Sequence, residues 1–231
     1  MKIKNINVHF TEAEIDKKIR ELGARISEDY AGESVCLICI LKGGVFFTCE
    51  LAKRITVPVS LDFMSVSSYG SETKSSGIVK IIKDLDEPLE GKDVLIVEDI
   101  IDSGRTLSYL LQNLKTRNPK SLKLCTLLDK PDRRMCDVKV DYVGFEIPDE
   151  FVVGFGLDLD QQYRNLPYIG CVELEDEEEG RAALNSRNNS YRGFGFYLVL
   201  ILIVVGVWYF LDGNTTTNSY TRAAFEKDIQ S

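Results

Sequence analysis

The sequence predicts an α/β protein: a mostly parallel sheet with helices on both faces. Three observations point there. Short apolar runs of strand length alternate with amphipathic stretches of helical spacing. The composition is globular, 44% hydrophobic and 28% charged in 231 residues. Several apolar runs end abruptly in glycines or carboxylates, as strands do where a parallel sheet presents its ligand-binding edge.

The first element expected is a helix. Thr11 and Glu14 form a capping-box pattern, and Ile15, Ile19, Leu22 and Ile26 recur at helical spacing. Strands follow at Val35–Leu41, Val57–Val66, Ile78–Ile82, Val94–Val97 and Leu122–Leu128, with helices at Val45–Arg54 and Thr106–Lys115. Cys36 and Cys39 make a CxxC, but they sit inside the apolar run Val35–Leu41 and read as buried core. The only histidine is His9, which leaves a four-ligand zinc site short of donors. Six cysteines are too few for a disulfide scaffold, and no export signal opens the chain, so free thiols in a reducing cytosol are expected.

The net charge of −8 argues against a nucleic-acid partner. Six of the acidic residues lie between Glu173 and Glu179, and removing those six negative charges leaves −2. A domain is therefore expected over 1–174, then a charged and polar linker over 175–192. A membrane-spanning helix is expected over 193–211, and a polar tail over 212–231. Phe194–Leu211 is 18 residues without a charge, which at ~1.5 Å per residue spans ~27 Å, near the thickness of a bilayer's hydrocarbon layer. Tyr191, Tyr197, Trp208 and Tyr209 sit near its ends. Arg181, Arg187 and Arg192 before the span place the N-terminal domain on the cytoplasmic side, tethered to the inner face of the membrane.

The chemistry concentrates in Val94–Leu107. An apolar strand ends in Glu98 and Asp99; Ile100 and Ile101 follow, then Asp102, Ser103, Gly104, Arg105 and Thr106, then a helix pattern. A strand, a tight loop and a helix N-terminus offer free backbone amides to a phosphate. Gly104 permits close backbone approach, and the hydroxyls of Ser103 and Thr106 add donors. Carboxylates facing a phosphate would repel it, so they suit sugar hydroxyls or a divalent metal. The bland alternative, acids that merely cap a helix, needs fewer than three carboxylates in five positions. The inferred ligand is a phosphorylated sugar, with its phosphate on the loop and its diol on Glu98 and Asp99. Neither GxxxxGK[ST] nor GxGxxG is present. The stretch Ser65–Gly77, rich in Ser and Gly, reads equally as a solvated loop or as a lid.

The stretch Val94–Leu107 resembles the 5-phosphoribosyl diphosphate (PRPP) signature of type I phosphoribosyltransferases. Leu41–Gly44, Ser68-Tyr69-Gly70, Leu128–Pro131, Val143–Asp149 and Phe151–Gly154 with Leu157-Asp158 narrow the resemblance to the hypoxanthine (hypoxanthine-guanine) family over roughly residues 5–174. The resemblance implies the type I phosphoribosyltransferase fold, with a small hood beside the sheet. It implies transfer of ribose 5-phosphate from PRPP to 6-oxopurine bases, with Mg²⁺ as cofactor and a homo-oligomer, dimer or tetramer. By the same resemblance, Asp102 is the catalytic base. Lys42, Gly43, Glu98, Asp99, Ser103, Gly104, Arg105, Thr106 and Arg164 bind PRPP or its phosphates, with a non-proline cis peptide between Leu41 and Lys42. Lys130, Phe151, Val152 and Asp158 hold the purine, and Glu98, Asp99 and Asp158 face the metal. Ser68 and Tyr69 belong to a lid.

Beyond Cys171 the chain departs from that family. The tail from Asn188 onward resembles the N-terminal membrane anchor of a bacterial membrane-bound AAA-type protease, without that family's ATPase or metal-binding modules. Other readings are another purine specificity (xanthine or adenine), a non-catalytic nucleotide sensor and a membrane-anchored interaction module.

Overall fold

The computed structural model describes residues 3–68 and 79–174. All of them fall in the first of the two units into which the chain divides, Met1–Leu174. The expected linker, the expected span at 193–211, the expected tail and Tyr69, expected in a lid, lie outside the described residues. Among the described residues no helix is long and apolar enough to cross a membrane.

The first element is a strand, not the expected helix. β1 (Ile3–Phe10) precedes α1 (Glu12–Asp29). β1 alternates too weakly to be read locally. Its partner is β9 (Ile169–Leu174), at the far end of the domain, and Asn7 Nδ2 donates to Glu173 Oε1 at 2.7 Å across that pairing. With β8 (Val152–Val153) they form a small antiparallel sheet ordered β1-β9-β8. This is the hood.

The main sheet has six strands: β2 (Val35–Leu41), β3 (Val59–Ser68), β4 (Val79–Lys83), β5 (Asp93–Ile101), β6 (Ser121–Asp129) and β7 (Tyr142–Glu146). Their order is β4-β3-β2-β5-β6-β7, parallel except for β4 on the edge. α2 (Val45–Ala52) links β2 to β3, and α3 (Arg105–Lys115) links β5 to β6. The chain therefore runs outward from β2 in one direction and outward from β5 in the other. The crevice between the carboxyl ends of β2 and β5 is the switch point where such sheets bind ligands.

Strand alternation assigns the two cores. Leu37, Leu95, Val97, Cys125 and Leu127 pack with Ile15, Ile19, Leu22 and Ile26 of α1 and with Phe47 and Leu51 of α2. Ile38, Ile40, Val94, Ile96 and Leu124 pack on the other face, against Leu107, Leu110 and Leu114 of α3. Thr11 caps α1 as expected: its hydroxyl accepts from the Glu14 amide at 3.3 Å, and the Thr11 amide donates to the Glu14 carboxylate at 2.8 Å. Cys36 and Cys39 are buried, and burial pushes the Cys39 thiol up to about 11. All six cysteines are free.

β3 continues four residues into the stretch expected to be loop. Val66, Ser67 and Ser68 pair with Ile81, Lys80 and Val79 of β4. Val66 and Ile81 pack against the α3-side core, which extends the strand through a serine-rich sequence. Ser68, expected in a lid, is thus the last residue of β3.

Candidate active site

The segments that build the site lie at strand ends or in the loops between strands. After β2, the Leu41–Lys42 peptide is cis, as the resemblance implied. Gly43 then passes so close to Asp99 that a Cβ on it would lie 1.7 Å from Asp99 Oδ2. Gly156, at φ +104°, approaches equally closely: a Cβ there would meet the Gly43 carbonyl oxygen at 2.1 Å. These two glycines let three chain segments meet at the switch point.

At the end of β5 the chain separates two pockets. One, of about 270 Å³, is walled by Glu98, Ser103, Gly104 and Thr106 together with Ile40, Leu41, Val66 and Leu107. Gly104 is the N-cap of α3, at φ 76°, with no side-chain cap. The first-turn amides of α3 therefore face this pocket without intrahelical acceptors. Ser103 Oγ reaches the Arg105 amide only at 3.5 Å. Arg105 itself is exposed and walls neither pocket.

The second pocket, of about 460 Å³, is walled by Asp99, Asp102, Lys130, Phe151, Val152, Leu157 and Asp158. Ile100 and Asp102 border both pockets. Lys130 is 5% exposed, held by its amide on the Ile101 carbonyl at 3.0 Å. Its Nζ lies 3.5 Å from Asp102 Oδ1 and 3.8 Å from Asp149 Oδ1. Phe151 presents its ring at 50% exposure, whereas Val152 is buried.

Glu98 and Asp99, expected together at the sugar diol, line two adjoining pockets. Consecutive strand residues point to opposite faces, so Glu98 walls the first pocket and Asp99 the second. They remain in contact through a side-chain hydrogen bond. Burial, with the Asp99 charge beside it, pushes the Glu98 carboxyl well above its ordinary value; burial raises Asp99 as well. Glu98 Oε2 is buried and has no hydrogen-bond partner among the described residues.

On the rim, the Arg164 guanidinium donates to the Gly156 carbonyl and Asp158 Oδ1, both at 2.7 Å. Gln161 Oε1 accepts from Lys42 Nζ at 3.1 Å and from Arg164 at 3.4 Å, and the Gln161 amide donates to Asp158 Oδ2 at 2.8 Å. Asp160, Gln161 and Tyr163 all have positive φ, a concentration of backbone strain typical of functional loops.

Sequence reasoning missed Gln161, and it also missed Arg133, Asp149 and Glu150, which complete the second pocket. Arg133 pairs with Asp149 at 3.0 Å, and Glu150 with His9 at 3.3 Å. Their only local signal was position, just beyond β6 and β7.

Among the described residues, no three acidic, histidine or cysteine side chains cluster closely enough to hold a metal by themselves. The donor set still fits magnesium, which typically takes one or two carboxylates and completes its shell from substrate and water. The orphaned Glu98 oxygen is the kind of buried acceptor such an ion satisfies.

Comparison with known proteins agrees with this geometry. Residues 11–160 match the family described as the phosphoribosyl transferase domain. The hypoxanthine-guanine phosphoribosyltransferase of Mycobacterium avium is 53% identical over 173 residues, covering 72% of this chain and 85% of that protein. The hypoxanthine phosphoribosyltransferase of Salmonella typhimurium is 55% identical over 174 residues, covering 74% of this chain and 98% of that protein. Among solved structures, a hypoxanthine phosphoribosyltransferase from Staphylococcus aureus superposes with a TM-score of 0.71 at 50% identity, covering 74% of this chain and 92% of that one.

Proposed function

The chain belongs to the hypoxanthine-guanine phosphoribosyltransferases, purine-salvage enzymes of the type I phosphoribosyltransferase family, and from that premise we propose how its residues divide the work. The observation that carries the assignment is the pair of pockets meeting at Ile100 and Asp102. One offers helix amides and hydroxyls to the 5′-phosphate of PRPP. The other offers a buried ammonium and an aromatic face to a purine.

In this reading the 5′-phosphate sits on Ser103, Gly104, Arg105 and Thr106. Phe151 stacks on the base, Val152 offers backbone groups to its edge, and Lys130 donates to O6. Lys130 thereby sets a preference for 6-oxopurines, because a 6-amino group would place donor against donor. Purine N9 attacks C1′ as the bond from C1′ to the pyrophosphate oxygen breaks. Asp102 takes or shares the proton at N7. The Lys42–Gly43 backbone and the Arg164 guanidinium receive the charge that develops on pyrophosphate. Magnesium, which this family generally requires, would take one or two carboxylates from among Glu98, Asp99 and Asp158 and would supply charge neutralisation of the leaving group.

The uncharged run at 193–211 supports a further element of this reading, a single membrane span tethering the domain to the inner face of the membrane. A dimer or tetramer is the assembly expected of the family. Purified full chain supplied with PRPP, Mg²⁺ and a panel of purines tests the assignment. Formation of IMP and GMP, with little product from adenine, is expected; no IMP from folded protein refutes it. Flotation of the full chain with lipid vesicles, lost when 193–211 is deleted, tests the tether.

A further inference from the structure

Behind the phosphate loop lies a side chain that touches both half-sites and walls neither pocket. Arg134 caps the 3-10 turn Pro131–Arg133 that follows Lys130. Its Nη2 is ion-paired with Asp129, the last residue of β6 and the neighbour of Lys130. Its stem runs against the N-cap of α3: a Cβ on Gly104 would meet Arg134 Cδ at 3.1 Å and Nη1 at 3.5 Å. The residues after it clasp the same loop, since the amides of Met135 and Cys136 both donate to the Ser103 carbonyl, at 2.9 and 3.2 Å. The other arm of the fork, Nη1, is buried without an acceptor among the described residues. A buried, unpaired charged donor is costly, so an arrangement of the loop that turns an oxygen toward it is favoured.

We propose that Arg134 is a positioning residue that couples the two half-sites. One arm fixes the strand end that carries Lys130, and the other is poised to be satisfied when the Ser103–Gly104 loop closes on the 5′-phosphate. Phosphate occupancy thereby braces the purine pocket. The proposal rests on the transferase reading above, and wild-type turnover of PRPP and hypoxanthine is its control. Without wild-type turnover that reading fails; with it, the variants judge Arg134 alone.

The test is steady-state kinetics and PRPP calorimetry with Mg²⁺ on Arg134→Gln, Arg134→Lys and Asp129→Asn. Arg134→Gln is expected to raise the PRPP KM and Kd about tenfold while kcat changes less than about threefold, a loss of binding rather than of chemistry. Asp129→Asn is expected to shift KM the same way but less, and the double variant to be no worse than Arg134→Gln alone, since both act through one contact. Lysine keeps the charge but has no second arm, so Arg134→Lys should recover only part of the loss. A folded Arg134→Gln with a PRPP KM within about twofold of wild type overturns the proposal, as does full additivity with Asp129→Asn. Should Arg134→Gln not fold, Arg134→Lys and Asp129→Asn decide: an unshifted PRPP KM in both overturns it.

Discussion

Removing the Lys130 ammonium should erode the discrimination between hypoxanthine and adenine. Lys130 is 5% exposed, and its carboxylate neighbours, Asp102 at 3.5 Å and Asp149 at 3.8 Å, stand beyond good hydrogen-bond length. Its protons therefore remain available to a purine O6. A hydrogen bond to a charged group contributes about 1.5–3 kcal/mol, which corresponds to roughly ten- to hundredfold in rate. Lys130→Met retains much of the stem and deletes the charge. The expected result is a fall in kcat/KM for hypoxanthine of about ten- to hundredfold, with adenine changed far less, so that the ratio between them collapses. Loss of the cation also removes one positive charge from beside Asp102 and Asp149, but that effect acts on both bases and cancels in the ratio. The assay is steady-state kinetics for each base at saturating PRPP and Mg²⁺. A hypoxanthine-to-adenine ratio within about threefold of wild type would refute the assignment of Lys130 to O6.

Three further outcomes are expected. Asp102→Asn should lower kcat about a hundredfold or more while PRPP affinity, read by calorimetry, stays near wild type; wild-type turnover would remove the base assignment. Gly43→Ala drives a Cβ to 1.7 Å from Asp99 Oδ2, so it should cost about 1–3 kcal/mol in thermal unfolding and depress kcat/KM; unchanged kinetics would show that Asp99 can move without consequence. Glu98→Gln should raise stability at pH 8 but not at pH 4. The folded pKa of Glu98 lies above its ordinary value, so between the two the native state holds a proton that the unfolded chain has released, and stability falls as pH rises through that window. The neutral amide escapes that loss. A difference in Tm between variant and wild type that is the same at both pH values would sink this account.

Much of the site was legible because its signals are local. The phosphate loop needs a strand end, a glycine with positive φ and the start of a helix, and all three fall within Val94–Leu107. The same holds for the capping box at Thr11 and for the buried faces of α1 and α3. Asp149 and Gln161 could not be found this way. Gln161 matters only because Lys42, 119 residues away, donates to it, and Asp149 only because Lys130 and Arg133 approach it from another strand end.

The sequence by itself determined the parallel core and the strand–loop–helix turn proposed to hold the phosphate, since hydrophobic period, capping and turn chemistry act within a few residues of one another. Only the tertiary structure decided the hood, where β1 gains its strand conformation by pairing with β9. It also decided that the adjacent carboxylates Glu98 and Asp99 line two adjoining pockets, and that Gly43 and Gly156 stand close enough for the segments after β2 and β8 to meet. Those features depend on contacts between distant parts of the chain, whose free energy has no local signature until the sheet has assembled.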